Sequence, residues 1–367
     1  MKTKISILLA IIMIILTCVP AFSVSAADMN TASAFAQKAA TIWFMDNYGG
    51  FYHIRDLKVI PIKVVKKMES TRYTFSITCE TKLKIENVEE LPFVAGMRDA
   101  VASVQNISND AEYLIEEYIK DAGRYIGDYY TLALDVVVDV NDANKNEYTL
   151  YYQDIQSTFI LPITDLLLEE EEMLRSGFES ALQIIKSDAA FLTRGYDDYD
   201  RIAARDYALT YSSNPIDCYD CGTTCGFRQD RSVWNNSNYY YITNLKHADC
   251  ADFVSQAMCE GGIPVETNVW DRFNDGPNGW SWTSAPGLKS YMVNKGYWES
   301  STFALCNAGN IIRWVSTSAS ANHVGMITLN DTVTHRYTAH TNDCKNQIFT
   351  NSTYYQNNCE YYMIKGD

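Results

Sequence analysis

Positive charge is what this 367-residue chain has least to spare: 30 lysines and arginines stand against 45 aspartates and glutamates, a formal charge of -15. A surface that acidic repels phosphate backbones and anionic lipid, so a nucleic-acid partner is excluded by charge. Histidine is also scarce, with five residues, which makes two of them in one short segment informative. Internal repeats and low-complexity tracts are absent, and with 47% apolar and 20% charged residues the chain has globular composition. No later segment after the first residues is apolar for long enough to span a bilayer, and no motif asks for a cofactor.

What is present begins with Lys2 and Lys4, an apolar run from Ile5 to Leu16, Pro20, and the small-residue end Val24-Ser25-Ala26-Ala27. Basic, apolar and small segments in that order predict a secretory signal peptide over residues 1–27, and an exported protein in the extracellular space or cell wall. Of the ten cysteines, Cys18 leaves with this leader, and nine remain: 79, 218, 221, 225, 250, 259, 306, 344 and 359. In an oxidising compartment an odd count suggests one free thiol and as many as four disulfides. Cys218, Cys221 and Cys225 have the spacing of a metal knuckle, although export favours disulfides there.

At this length two folded units are expected. Residues 28–190 read as a smaller α+β domain of unknown role. A helix is predicted over 31–45, strands over 72–86, 132–140 and 148–159, and helices over 110–125 and 164–187. Asn141 to Asn144 form the turn between the last two strands. His53 stands alone, and the Glu169 to Glu172 run reads as a solvated helix face. After Phe191 the composition changes: Gly195, Asp197, Asp198 and Asp200 mark a linker, and six of the seven tryptophans lie beyond residue 230. Residues 191–367 form the second unit. Trp270, Trp280, Trp282 and Trp298 are candidates to line a groove, with core packing as the competing explanation for each.

In that second unit a helix is predicted over 199–212, with Ile202, Ala203, Tyr207, Ala208 and Tyr211 facing inward. The segment His247-Ala-Asp-Cys-Ala-Asp-Phe-Val-Ser-Gln-Ala-Met-Cys-Glu-Gly-Gly262 reads as a second helix, capped by Asp249 and closed by the glycines. Cys250 then occupies the first helical position, where the helix dipole favours the nucleophilic thiolate. Its partner is expected in Asn322-His323-Val-Gly-Met-Ile-Thr-Leu-Asn330, a strand that opens on a histidine. A two-residue turn at Asn330-Asp331 would pair His323 with Thr338 and turn His340 and Asn342 to the same side. His323 would serve as the base for Cys250, with His340 or Asn342 fixing its tautomer. His335 has the opposite parity, and His247 precedes the helix; both read as bystanders.

These residues in this order resemble the bacterial putative amidase domain family, similar to papain-like cell-wall hydrolases of the NlpC and CHAP kind. The resemblance runs over residues 196 to 364: Tyr199-Asp200-Arg201, Ala203-Ala204, Tyr207-Ala208, Asp249-Cys250, Phe253-Val254-Ser255-Gln256, Gly261-Gly262, His323-Val324 and His340-Thr341-Asn342-Asp343. It implies a papain-like α+β domain whose antiparallel sheet rests on the cysteine-bearing helix. It also implies a Cys-His hydrolase of amide bonds with peptidoglycan peptides as the substrate class, and it carries over Cys250, His323 and His340. His247-Ala248 departs from the usual Gly-Gly, and Gly309-Asn310 from the usual Gly-Asp. A contrasting reading is an inactive, disulfide-stabilised wall-binding or adhesion protein on the same scaffold, distinguished by whether a free thiol exists at Cys250.

Overall fold

The computed structural model describes residues 26–187, 199–235, 248–271, 280–315 and 322–364. The predicted leader lies outside them, except for its last two residues. No helix among the described residues is long and apolar enough to cross a membrane.

The fold is α+β. One mixed sheet of eleven strands runs through the molecule, in the order β1-β2-β3-β10-β9-β8-β7-β11-β6, with β4 and β5 branching from β3. The first segment supplies β1 (Tyr52–Lys66), β2 (Ser70–Leu83), β3 (Tyr130–Asn141), β4 (Tyr148–Gln153) and β5 (Ile160–Pro162). The second supplies β6 (Trp298–Ser301), β7 (Ile311–Trp314), β8 (His323–Asn330), β9 (His335–Ala339), β10 (Cys344–Phe349) and β11 (Cys359–Ile364). The two segments meet where β3 and β10 pair in parallel at Ala133 and Gln347; the other strand pairs are antiparallel.

The predicted hairpin at Asn141 forms. The Asn141 side-chain oxygen accepts from the N–H groups of Ala143 and Asn144, and β4 returns against β3. Strand β1 is an element the alternation did not reveal. It is exposed at most positions and shifts register after Arg55 and Pro61, as an edge strand carrying proline and charge does.

The helices are α1 (Ala26–Tyr48), α2 (Pro92–Ser103), α3 (Asn109–Gly123), α4 (Glu170–Lys186), α5 (Arg201–Thr210), α6 (Cys250–Glu260), α7 (Trp280–Thr283), α8 (Ala285–Asn294) and α9 (Thr353–Asn358). Helix α2 went unpredicted, and its glycine explains its packing. A Cβ on Gly96 would lie 1.9 Å from the Leu174 carbonyl oxygen, and one on Gly177 of α4 1.9 Å from that of Phe93. The two backbones touch through their glycines. The Glu169 to Glu172 run is exposed, as a solvated face should be.

Two apolar clusters divide the faces of the sheet. The larger joins the first segment to Trp314, Ile327, Tyr337, Ala339 and Phe349 of the second. The smaller packs α5, α6 and α8 on Ile311, Val324 and Met326. Covered on both sides, β8 and β9 are buried at every position, so their side chains are apolar or paired polar groups rather than an alternating pattern. Buried polar contacts stitch the segments together: Arg201 pairs with Asp121 at 2.7 Å, Tyr52 donates to Asp331 at 2.8 Å, and Arg228 pairs with Asp135.

Candidate active site

The helix that carries Cys250 begins where predicted, but Asp249 makes no side-chain cap there. Its carboxylate instead meets Nδ1 of His340 at 2.7 Å, while the His340 Nε2–H donates to the Tyr211 carbonyl at 2.8 Å. The Asp249 backbone N–H donates to the Thr341 hydroxyl. Phe253 and Trp234 sandwich the imidazole, with ring centroids at 3.8 and 4.6 Å. His340 therefore has both nitrogens engaged and both faces covered. It locks the residue before Cys250 to the end of β9.

Two further carboxylates are buried close by. Asp343 accepts from the Trp234 indole and from the Asp230 N–H, each at 2.8 Å, and Asp252 accepts from the Trp282 indole. Burial pushes Asp343 up to about 6 and Asp249 up to about 7, and raises Asp252 well above the ordinary carboxylate range. The same burial lowers His340. Both members of the His340–Asp249 pair are driven toward their neutral forms, so one proton is shared between Nδ1 and the carboxyl.

Cys250, the next residue after Asp249, is half-buried. Burial raises its thiol to about 11, against the lowering effect of the Val324 N–H, the Thr341 hydroxyl and the Ala251 N–H, with the nearby Asp249 charge also raising it. Desolvation therefore opposes the preference of the helix start for a thiolate and favours the thiol.

His323 opens β8, one residue before the Val324 N–H that reaches the sulfur. It is buried, its Nε2 has no hydrogen-bond partner, and burial with the neighbouring His340 lowers it to about 3. A neutral imidazole with an open nitrogen can accept a proton. Among the described residues no hydrogen bond joins it to Cys250.

The predicted hairpin register is corrected. Met326, not His323, faces Thr338, and β8 bulges between Ile327 and Leu329. The cause is a four-residue turn in place of a two-residue one. Asp331 Oδ1 accepts from the N–H groups of Val333 and Thr334, and Thr332 takes a positive φ of 67°. With this register His323 shares its face with its partner Trp314 and with Tyr337, while His340 shares the opposite face with Met326 and α6. His340 and Asn342 therefore do not line up beside His323 in the ladder. Asn342 points elsewhere: its amide donates to the Ile155 carbonyl and its oxygen accepts from the Arg228 N–H.

Other expectations are corrected as well. No disulfide joins any of the nine described cysteines, so the expected framework has no counterpart among them. Trp270, Trp282 and Trp298 are buried in the smaller cluster, and Trp280 alone of the four is exposed. The three buried ones are core, not groove wall. In α5 the buried residues are Ala204, Tyr207 and Ala208; Ile202 and Ala203 are half-exposed because Arg201 turns inward to Asp121. His335 is buried against Phe303 in the larger cluster, and His247 lies outside the described residues.

Sequence reasoning missed Thr341, Trp234, Asp252 and Asp343 as parts of this site. Asp252 had a signal, since it follows Asp249 by one helical turn; Trp234 had none, because it arrives on a loop.

A cysteine at the start of α6 and a neutral histidine at the start of β8, on the face of that strand turned away from α6, supply the residue types of acyl-transfer chemistry, a thiol and an imidazole. Residues 198–364, which contain every residue of this site, match the family described as putative amidase domain. No curated protein and no solved structure matches the chain. The family match supports an amide-hydrolysing enzyme.

Proposed function

We propose that the second segment is a cysteine amidohydrolase of papain-like layout, with Cys250 as nucleophile and His323 as base. What supports this reading is the match of residues 198–364 to the putative amidase domain family, together with the packing of α6, which begins at Cys250, against β8, which begins at His323, a buried imidazole whose Nε2 has no hydrogen-bond partner. Since burial favours the thiol and the neutral imidazole, the reaction starts by general-base transfer rather than from a standing thiolate–imidazolium pair. As the sulfur attacks the amide carbon, its proton passes to His323. The tetrahedral oxyanion is held by backbone N–H groups at the start of α6. Collapse breaks the C–N bond, and the amine leaves with the proton from His323. Water, deprotonated by His323, then cleaves the thioester to free the acid and restore the thiol.

In the resting fold His323 faces away from α6, so the scheme requires its imidazole to turn toward Cys250 when substrate binds, as sites of this kind tighten in the complex. His340 is a positioning residue in this scheme, holding Asp249 and with it the first turn of α6. Peptidoglycan stem or cross-bridge peptides are the proposed substrates, and export to the wall is the proposed setting, resting on the leader and the acidic composition. The test is release of peptides or free amines from purified sacculi and from defined muropeptides. Undiminished release by Cys250→Ala overturns the assignment.

A further inference from the structure

Away from Cys250, the segment Cys218-Tyr-Asp-Cys221-Gly222-Thr-Thr-Cys225-Gly226 folds into a tight double turn. Cys218 and Gly222 exchange backbone hydrogen bonds of 3.1 and 2.7 Å, and the Thr224 N–H donates back to the Cys221 carbonyl. Gly222 and Gly226, which follow the second and third cysteines, have φ of +57° and +75°, and a Cβ at either would meet nothing within 4 Å. They are required by the left-handed backbone, not by space. The result brings three sulfur atoms within 4.8 Å of one another, with Cys218 buried and the other two half-exposed.

A disulfide can use only two of three converging thiols. A tetrahedral thiophilic ion uses all three: with metal–sulfur bonds of about 2.3 Å, the sulfurs of such a centre stand roughly 3.8 Å apart, a contraction of about an ångström from the widest separation allowed here. The exposure of Cys221 and Cys225 leaves the fourth position open to solvent.

The turn is also well placed for a staple. The Tyr219 N–H donates to the Gln229 carbonyl and the Gln229 N–H to the Asp217 carbonyl, tying the turn to the segment that follows it, and Arg228 pairs with the buried Asp135 of the first segment. The Arg228 carbonyl accepts from Asp343, Asp230 donates to the Asp343 carboxylate, and Trp234 covers His340. The double turn anchors the strap that closes one side of the candidate active site.

We propose that Cys218, Cys221 and Cys225 bind one thiophilic divalent cation of the zinc class, as a structural centre that holds residues 213–235 in place. Binding replaces three S–H bonds by three metal–thiolate bonds and releases three protons to solvent, so affinity rises with pH.

The experiment uses the full chain purified under reducing conditions and titrated with zinc, then cadmium. The expected results are one equivalent of metal, a cadmium–thiolate charge-transfer band, and a thermal midpoint several degrees higher with metal. Cys218→Ser and Cys225→Ser should each weaken binding at least tenfold, while Cys250→Ser and Cys259→Ser keep it. Should the first two variants fold poorly, alkylation of the unaltered protein mapped by mass spectrometry decides the matter, because zinc should protect these three thiols and leave Cys250 reactive. Absence of uptake by the reduced protein, a disulfide within the trio in the protein as first isolated, or loss of metal in Cys250→Ser overturns the proposal. None of these outcomes depends on whether the protein hydrolyses amides.

Discussion

The two faces of the β8–β9 hairpin treat histidine in opposite ways. On the α6 face, His340 is bonded at both nitrogens, sandwiched between Phe253 and Trp234, and surrounded by buried carboxylates that each find donors. On the other face His323 lies against Trp314 with its Nε2 unpartnered. Saturated hydrogen bonding rigidifies a site, whereas an unpaired buried nitrogen is a cost that a fold carries where chemistry needs it. On the proposed reading His340 keeps position and His323 transfers the proton, although the two look alike in sequence; His335, whose buried Nε2 is also unpartnered, lies in the larger cluster against Phe303.

Substituting the reacting groups should separate the faces most sharply. Cys250→Ala and His323→Ala should each lower amide hydrolysis by about a thousandfold or more while leaving the thermal midpoint within a few degrees. Equal activity loss in His340→Gln, with His323→Ala still active, would reverse the two roles.

His340→Ala should produce the largest loss of stability, about 2–5 kcal/mol in denaturant unfolding, because it leaves a cavity between Phe253 and Trp234 and removes the partner of the Asp249 carboxyl and the Tyr211 carbonyl. His323→Ala, which strands no partner, should cost less. Trp234→Phe, which removes one of two donors to Asp343 Oδ2, should cost roughly 1–3 kcal/mol. An unchanged midpoint in the Trp234 variant would mean that the strap does not bear on the site.

The pH dependence provides a finer comparison. His323 and His335, lowered to about 3, favour the neutral form in the fold, so stability should fall as pH drops from about 6.5 toward 3. Asp343 and Asp249 are raised to about 6 and about 7. Their contribution is present below the unfolded value near 3.8 and is lost as pH rises through 6 to 7. Asp343→Asn keeps an oxygen for Trp234 and Asp230 but cannot ionise. Its midpoint relative to the unaltered protein should therefore be more favourable at pH 8 than at pH 4, by a few degrees. A constant difference across that range would show that Asp343 does not titrate in the fold.

The smallest effect concerns packing far from the site. Gly96→Ala forces α2 off the Leu174 carbonyl, and overpacking of this kind costs about 1–3 kcal/mol without changing hydrolysis.

Several of these features were legible in the chain alone. Alternation and turn residues located β2, β3 and β4; the apolar stripe of Phe253, Val254, Ala257 and Met258 and the paired glycines located α6, and with it Cys250 at the helix start. These are local signals, governed by backbone periodicity and by the conformations that glycine and asparagine permit. Strand β1 escaped because an exposed edge has no buried side to alternate. Helix α2 escaped because its contact is glycine against backbone.

The sequence by itself determined the residue types at the site and the helix that presents Cys250. Tertiary structure decided how they are used. A four-residue turn and one bulge moved the hairpin register and sent His323 and His340 to different faces, because strand side chains alternate with a period of two. Burial favours the thiol where the helix start alone favours a thiolate, since desolvation depends on what the whole chain wraps around a group, and the tertiary placement of His340 makes the Asp249 side chain its partner rather than a cap.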